Sequence, residues 1–87
     1  MLNKEIFKNQ LKEIIETKEM LSLKCDNWYN MDIYVINEWE NMLWWNIYKY
    51  NIMWKNLDTG WQFVCNNEND VEGLYNLIYE IYKINNR

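Results

Sequence analysis

Histidine, proline and alanine are missing from this 87-residue chain, and arginine occurs once, at Arg87. Without histidine there is no ready general base near neutral pH, no Ser-His or Cys-His pair, and no imidazole ligand for a metal. Serine also occurs once, at Ser22, and the only glycines are Gly60 and Gly73, which excludes a glycine-rich loop that cradles phosphate. We therefore expect a protein that is not an enzyme and uses no cofactor.

The cysteines, the N-terminus and the length of the uncharged runs indicate the cellular compartment of the protein. Cys25 and Cys65 cannot complete a four-ligand zinc site in a chain that lacks histidine, and the sequence leaves open whether they pair. The N-terminus is charged from Lys4 onward, unlike a signal peptide. Uncharged runs such as residues 41–48 are far shorter than the roughly 20 residues that span a bilayer. We expect a cytoplasmic protein with reduced cysteines and no membrane partner.

Aromatic residues are what the chain has in excess. It contains six tryptophans, seven tyrosines and two phenylalanines, and every tryptophan lies between Trp28 and Cys65. We expect a single domain over residues 1–87 with one core, and folding of such a domain hides roughly 60 to 68% of the chain's surface. Because each aromatic side chain buries about 150 to 250 Å², this core cannot enclose them all. Some of them should contact solvent or a partner.

Hydrophobic periodicity predicts an α+β fold in which N- and C-terminal helices flank a three-stranded antiparallel sheet, in the order α-β-β-β-α. Apolar residues recur at three-and-four spacing over residues 3–24 and 70–84, which is typical of helices with one buried stripe. Residues 28–36 alternate between two faces, and residues 61–65 are rich in aromatic and β-branched side chains, as strands are. Gly73 is tolerable inside the second helix if it lets another element approach closely.

Residues 42–55 fit two interpretations. As a strand, the segment is rich in tryptophan, tyrosine and isoleucine and leads into a tight turn at 57–60. As a helix, it carries large apolar residues at helical spacing, with Asn37 as a capping residue. The strand is preferred because its β propensity and the Asp-Thr-Gly turn agree, and a bulge or break is expected near Lys49. Polar turn formers at 37–41 separate it from the preceding strand.

Trp44 and Trp45 are the informative pair. Neighbouring side chains on a strand point to opposite faces of the sheet, so one indole must face away from whatever covers the other. We therefore predict an outward face suited to docking, because protein interfaces concentrate their binding energy in aromatic anchors within a polar rim. Its predicted residues are Trp28, Asp32, Tyr34, Trp44, Asn46 and Tyr48, with Glu38, Trp39 and Glu40 in the adjoining turn.

Charge is unevenly distributed along the chain. The net charge is −4, and residues 26–40 and 56–80 contain several acidic residues but no basic one. Asp70 and Glu72, where the second helix starts, therefore join the predicted partner-binding residues. A negative surface repels phosphate and attracts cationic surfaces, so we expect a basic protein partner.

The chain resembles two families. Its order of one helix, three strands and one helix is similar to the double-stranded-RNA-binding domain over nearly its whole length, but that family binds phosphate through lysines that open its second helix. Here those positions hold Glu68, Asp70 and Glu72, so direct nucleic-acid binding is not expected. The small size, acidic charge, helix-sheet-helix order and lack of catalytic residues resemble phage-encoded anti-CRISPR inhibitors. That resemblance implies an inhibitor in the host cytoplasm whose carboxylates imitate phosphate in the basic channel of a CRISPR effector.

Two hypotheses follow from these observations. The first is a non-catalytic inhibitor that binds and blocks a basic, nucleic-acid-binding surface of a partner protein. The alternative is a homodimeric structural or interaction protein whose exposed Trp-rich sheet face is buried against a second copy. Light scattering separates the two, because a dimer that is lost on Trp44→Ala would support self-association.

Overall fold

The chain folds into two helices and four strands. The computed structural model describes residues 2–39, 42–65 and 71–86, with the side chains of residues 37–39 outside that description. The α+β class and the helices near both ends are as predicted, whereas the prediction of three strands is wrong. The elements are α1 (Lys4–Thr17), β1 (Leu21–Lys24), β2 (Tyr29–Trp39), β3 (Met42–Asn51), β4 (Asn56–Cys65) and α2 (Val71–Ile84).

The additional strand comes from the end of the first predicted helix, because α1 stops at Thr17 rather than at residue 24. Asn3 caps the start of α1 by accepting a backbone N–H of the first turn at 2.9 Å. Lys18 ends it in the left-handed conformation, at φ 60°, and reverses the chain. Leu21 and Leu23 then alternate with exposed neighbours to form β1. A strand of four residues is too short to show its own period in the sequence.

The sheet is an antiparallel meander in the order β1-β2-β3-β4. β2 does not stop at the turn predicted for residues 37–41 but continues to Trp39, with a register shift between Asn37 and Trp39. β3 confirms the strand interpretation of residues 42–55, although it ends at Asn51. The two long central strands place the middle of the sequence in the middle of the sheet.

The turn between β3 and β4 lies earlier than predicted. The Asn51 side chain accepts the backbone N–H groups of Met53 and Trp54 at 2.9 and 3.0 Å, which closes a turn before β4. The prediction of a turn at 57–60 is therefore wrong, and Gly60 lies inside β4. An asparagine whose side chain accepts backbone N–H groups two and three residues later favours a turn. The Asp-Thr-Gly sequence also favours a turn, and the prediction followed it instead.

The predicted irregularity near Lys49 is present in the β3–β4 pairing. Lys49 lies opposite Thr59 and Tyr50 opposite Leu57, which leaves Asp58 as an extra residue on β4. The Asp58 carboxylate lies 3.5 Å from the Lys49 ammonium group. The bulge divides β4 into a short first part and a regular part from Thr59 to Cys65.

Both helices pack on one face of the sheet, where they enclose the core. Phe7 of α1 stacks on Tyr82 of α2 with ring centroids 4.9 Å apart, and the Leu2 N–H donates to the Tyr82 hydroxyl at 3.0 Å. Residues from α1, the three longest strands and α2 contribute the buried side chains: Phe7, Leu11, Ile14, Met31, Ile33, Val35, Leu43, Trp45, Ile47, Cys65, Val71, Tyr75, Ile78, Tyr79, Ile81 and Tyr82. The other face of the sheet, which we call the open face, carries most of the candidate site.

Candidate functional site

The two neighbouring tryptophans of β3 lie on opposite faces of the sheet, as predicted. Trp45 is 0% exposed and meets the Tyr75 ring edge-on at 5.7 Å, inside the core. Trp44 lies half-buried on the open face, between Ile36 of β2 and Val64 of β4. Strand geometry therefore places a large indole outside the core, next to apolar neighbours on both sides.

Asp32, Tyr34, Asn46 and Tyr48 also lie on the open face, as the register of β2 and β3 requires. The Tyr34 and Tyr48 rings stack with centroids 5.8 Å apart. A hydrogen bond with the Tyr48 side chain, and to a lesser degree desolvation, raises the pKa of Tyr34 above its ordinary value. The two tyrosines therefore form one fixed aromatic surface at the centre of the sheet.

Hydrogen bonds fix the polar side chains of the open face. One Asp32 oxygen accepts the Ser22 hydroxyl at 2.7 Å and the Asn30 amide at 2.9 Å. The Asn30 amide also donates to the Tyr50 hydroxyl at 3.2 Å, so the network extends over β1, β2 and β3. A face whose side chains are already held in place loses little conformational entropy when something docks on it.

Asn46 differs from its prediction as an outward docking residue. It is only 3% exposed, and its side-chain oxygen accepts the Gln62 amide at 2.9 Å. It belongs to the open face and lies across from Tyr34 of β2 and Gln62 of β4. Asn46 therefore orients Gln62 and does not present its own amide to a partner.

Trp28 does not lie on the open face, because it belongs to the turn between β1 and β2. Its side chain is 63% exposed, and its backbone is left-handed, with φ at 70°. The Trp28 carbonyl accepts the Ile52 N–H at 2.7 Å, which joins this turn to the turn between β3 and β4. Two turns that are distant in sequence therefore meet at one end of the sheet.

Five large exposed side chains gather at this end, and we call them the tip cluster: Trp28, Ile52, Met53, Trp54 and Leu57. Trp54 is the most exposed of them, at 71%. Trp54 and Leu57 line one side of a shallow cavity of about 200 Å³, which Tyr29 and Asp58 also line. The last four residues of this cluster were not among the predicted site residues, because Ile52, Met53 and Trp54 were assigned to a strand over residues 42–55 and Leu57 to a turn at 57–60. An apolar run that follows a turn-forming asparagine was the available signal.

Among the predicted acidic residues, the structure describes the carboxylates of Asp32 and Glu72, and these lie in different layers. Glu72 lies on α2, in the helix layer, where its carboxylate is 3.2 Å from the Lys8 ammonium group. Glu38 and Trp39 belong to the last part of β2, and their side chains lie outside the description. Glu40 and Asp70 lie outside the described residues altogether. Of the predicted acidic residues, Asp32 is thus the one whose carboxylate the structure places on the open face.

The strand ends nearest to the acidic segments lie together, at the end of the sheet opposite the tip cluster. Trp39 pairs with Met42, and Leu43 pairs with Cys65. The chain between residues 39 and 42 and the chain between residues 65 and 71 therefore both leave from this end. These stretches and their flanks carry four of the thirteen acidic residues, namely Glu38, Glu40, Glu68 and Asp70, and no lysine or arginine.

Little reactive chemistry is present in the part of the chain that the structure describes. No group of histidine, cysteine, aspartate and glutamate residues there could hold a metal ion, and no helix there is long and apolar enough to cross a membrane. Cys25 and Cys65 do not form a disulfide. Burial is the main reason that the pKa of the Cys25 thiol is raised, which lowers its thiolate fraction at neutral pH.

Comparison with known proteins gives no match among protein families, curated proteins or solved structures.

Proposed function

We propose that this chain is a non-catalytic inhibitor that binds a basic surface of a partner protein and covers it. The observation that carries the proposal is the tip cluster, in which two indoles, 63 and 71% exposed, stand beside three other large apolar side chains. Tryptophan is among the residues that dominate binding energy at protein interfaces. Soluble proteins seldom leave so many large apolar side chains together in water unless something docks on them.

The open face supports the proposal as a flat surface next to the tip cluster. Its aromatic rings and amides are held by stacking and by hydrogen bonds, so docking costs little ordering. A flat surface of tyrosine, tryptophan and amide groups fits another protein better than a small molecule, which needs a concave pocket.

The acidic residues Glu38, Glu40, Glu68 and Asp70, which lie in or next to the 39–42 and 65–71 stretches, favour a basic partner. The carboxylates of the 39–42 and 65–71 stretches can meet lysine and arginine side chains on a surface built for phosphate. We propose a nucleic-acid-binding channel as that surface, and a CRISPR effector as the class of partner that the resemblance to anti-CRISPR inhibitors suggests. Inhibition then results from exclusion of nucleic acid from the channel.

The experiment is a cleavage assay with a panel of purified CRISPR effectors, together with binding measurements at low and high salt. A variant with Glu38→Gln, Glu40→Gln, Glu68→Gln and Asp70→Asn removes four charges from the proposed interface. Because an exposed ion pair contributes roughly 0.2 to 1 kcal/mol, the variant should bind about tenfold more weakly at low salt. Its affinity should also depend less on salt concentration, since fewer charges are screened.

The matched control also removes four charges, with Glu5→Gln, Glu13→Gln and Glu16→Gln on α1 and Glu19→Gln two residues after it. These side chains are exposed and lie away from the open face. The control should inhibit like the unchanged protein, which separates local contacts from net charge. Failure to inhibit any effector, or full inhibition by the first variant, would contradict the proposal.

A further inference from the structure

We propose that two copies of this chain pair through the outer edge of β4 and so join their sheets into one continuous antiparallel sheet. The strand order places β4 at one edge, with β3 on its inner side. On the outer side, no strand among the described residues meets its backbone N–H and carbonyl groups. An edge of this kind is a template for a further strand.

The two edges of the sheet differ in how far they are protected against pairing. β1 has four residues, one of which is the exposed Lys24, and short charged edges resist strand addition. β4 has ten residues and is mostly exposed, with Asp58 as its single charge and no lysine. β4 is therefore the edge at which a strand can add.

The bulge at Asp58 sets the register of the proposed pair. The regular part of β4 runs from Thr59 to Cys65, and Gln62 is its middle residue. A two-fold axis at Gln62 uses this whole stretch and leaves Asp58 outside the paired residues. Because two antiparallel strands related in this way keep their faces aligned, the helix layers of both copies fall on the same side.

The same register explains why a second copy fits the edge. Trp61 and Phe63 are half-buried on the helix side. In the proposed pair, Trp61 of one copy would lie beside Phe63 of the other, and the reverse. On the open side, Gly60 would lie beside Val64, whose side chain is exposed. No charged residue enters the paired stretch, so no like charges lie opposite each other within it. The stretch is thus complementary to itself.

The test uses a charge at the two-fold axis. Gln62 is exposed and donates to Asn46, and a lysine at this position keeps a donor for that bond. In Gln62→Lys, two like charges meet in the dimer, as they also do in Gln62→Glu. By light scattering, the unchanged protein should approach twice its mass of 10.9 kDa as concentration rises, and each variant alone should dimerise about tenfold more weakly. An equal mixture of the two variants should restore the dimer.

Leu77→Lys is the matched control, because it puts the same charge at an exposed position on α2 and should leave the dimer unchanged. Amide hydrogen exchange provides a second readout on the unchanged protein. Amides in residues 59–65 that do not bond to β3 should exchange more slowly as concentration rises. The inference is overturned if the protein keeps a mass of 10.9 kDa throughout, or if the mixed variants stay apart. It is also overturned if the dimer survives both variants and is lost instead on Trp44→Ala. None of these outcomes depends on the proposed inhibitory partner.

Discussion

At the scale of single residues, Trp28 combines a bulky exposed side chain with a backbone conformation that such residues avoid. Its φ of 70° is left-handed, and this region costs an ordinary L-residue roughly 1 to 2 kcal/mol. Burial of the indole offsets little of this cost, since the side chain is 63% exposed. Backbone strain of this kind often accompanies a functional position.

We expect Trp28→Asn to leave the free energy of unfolding unchanged or to raise it by up to about 1 kcal/mol, because asparagine tolerates the left-handed region. Urea denaturation measures this. Trp45→Ala is the control, since a large core residue replaced by alanine should cost about 3 to 5 kcal/mol. A loss of more than about 1 kcal/mol in Trp28→Asn would mean that the indole supports the fold after all.

Some residue positions could be predicted because they follow a local rule. The opposite placement of Trp44 and Trp45 needs only the alternation of a strand. The enclosure of Asn46 could not be predicted in this way, because it depends on the strand pairing that places Tyr34 of β2 and Gln62 of β4 beside it. The exposure of Trp54 also required the position of a turn, which Asn51 sets through its side chain.

At the scale of elements, the two glycines have opposite surroundings. A Cβ added to Gly60 would lie 3.1 Å from the Tyr48 ring, and that ring is also held against Tyr34. A Cβ added to Gly73 of α2 would meet nothing within 4 Å among the residues that the structure describes. The proposed reason for Gly73, close approach of another element, is therefore wrong, whereas Gly60 lets the Tyr48 ring lie across β4.

Gly73→Ala should stabilise the protein by about 0.5 to 1 kcal/mol, because alanine favours the helix and restricts the unfolded chain. Gly60→Ala should gain none of this, since the Tyr48 ring would have to shift by a few tenths of an ångström while it is held against Tyr34. Thermal unfolding of the two variants side by side checks the difference. Equal stabilisation by both would show that the Tyr34–Tyr48 pair moves freely.

Long elements, in which the hydrophobic pattern repeats several times, could be predicted from the sequence, and short elements could not. α2 and β3 appear in the sequence because many residues repeat their pattern. β1 falls within the helix predicted over residues 3–24, because Leu21 also continues the helical stripe of Phe7, Leu11 and Ile14. Its existence depends on the chain reversal at Lys18, a lysine in a conformation that composition does not reveal.

At the scale of the whole molecule, the two ends of the sheet differ in chemistry, and strands of ten or eleven residues connect them. The tip cluster lies at one end and the acidic stretches leave from the other. The sequence predicted the acidic segments, because charge is read directly from composition. It could not predict the tip cluster, which exists only because Trp28 and Ile52 meet through the hydrogen bond between their turns.

The proposed function requires that the exposed indoles dock on a basic protein. The measurement is fluorine NMR of the protein labelled with fluorotryptophan, recorded with and without the CRISPR effector identified by the proposed cleavage assay. Resonances of Trp28 and Trp54 should shift on binding, and that of the buried Trp45 should not. Unchanged Trp28 and Trp54 resonances in a formed complex would contradict the claim.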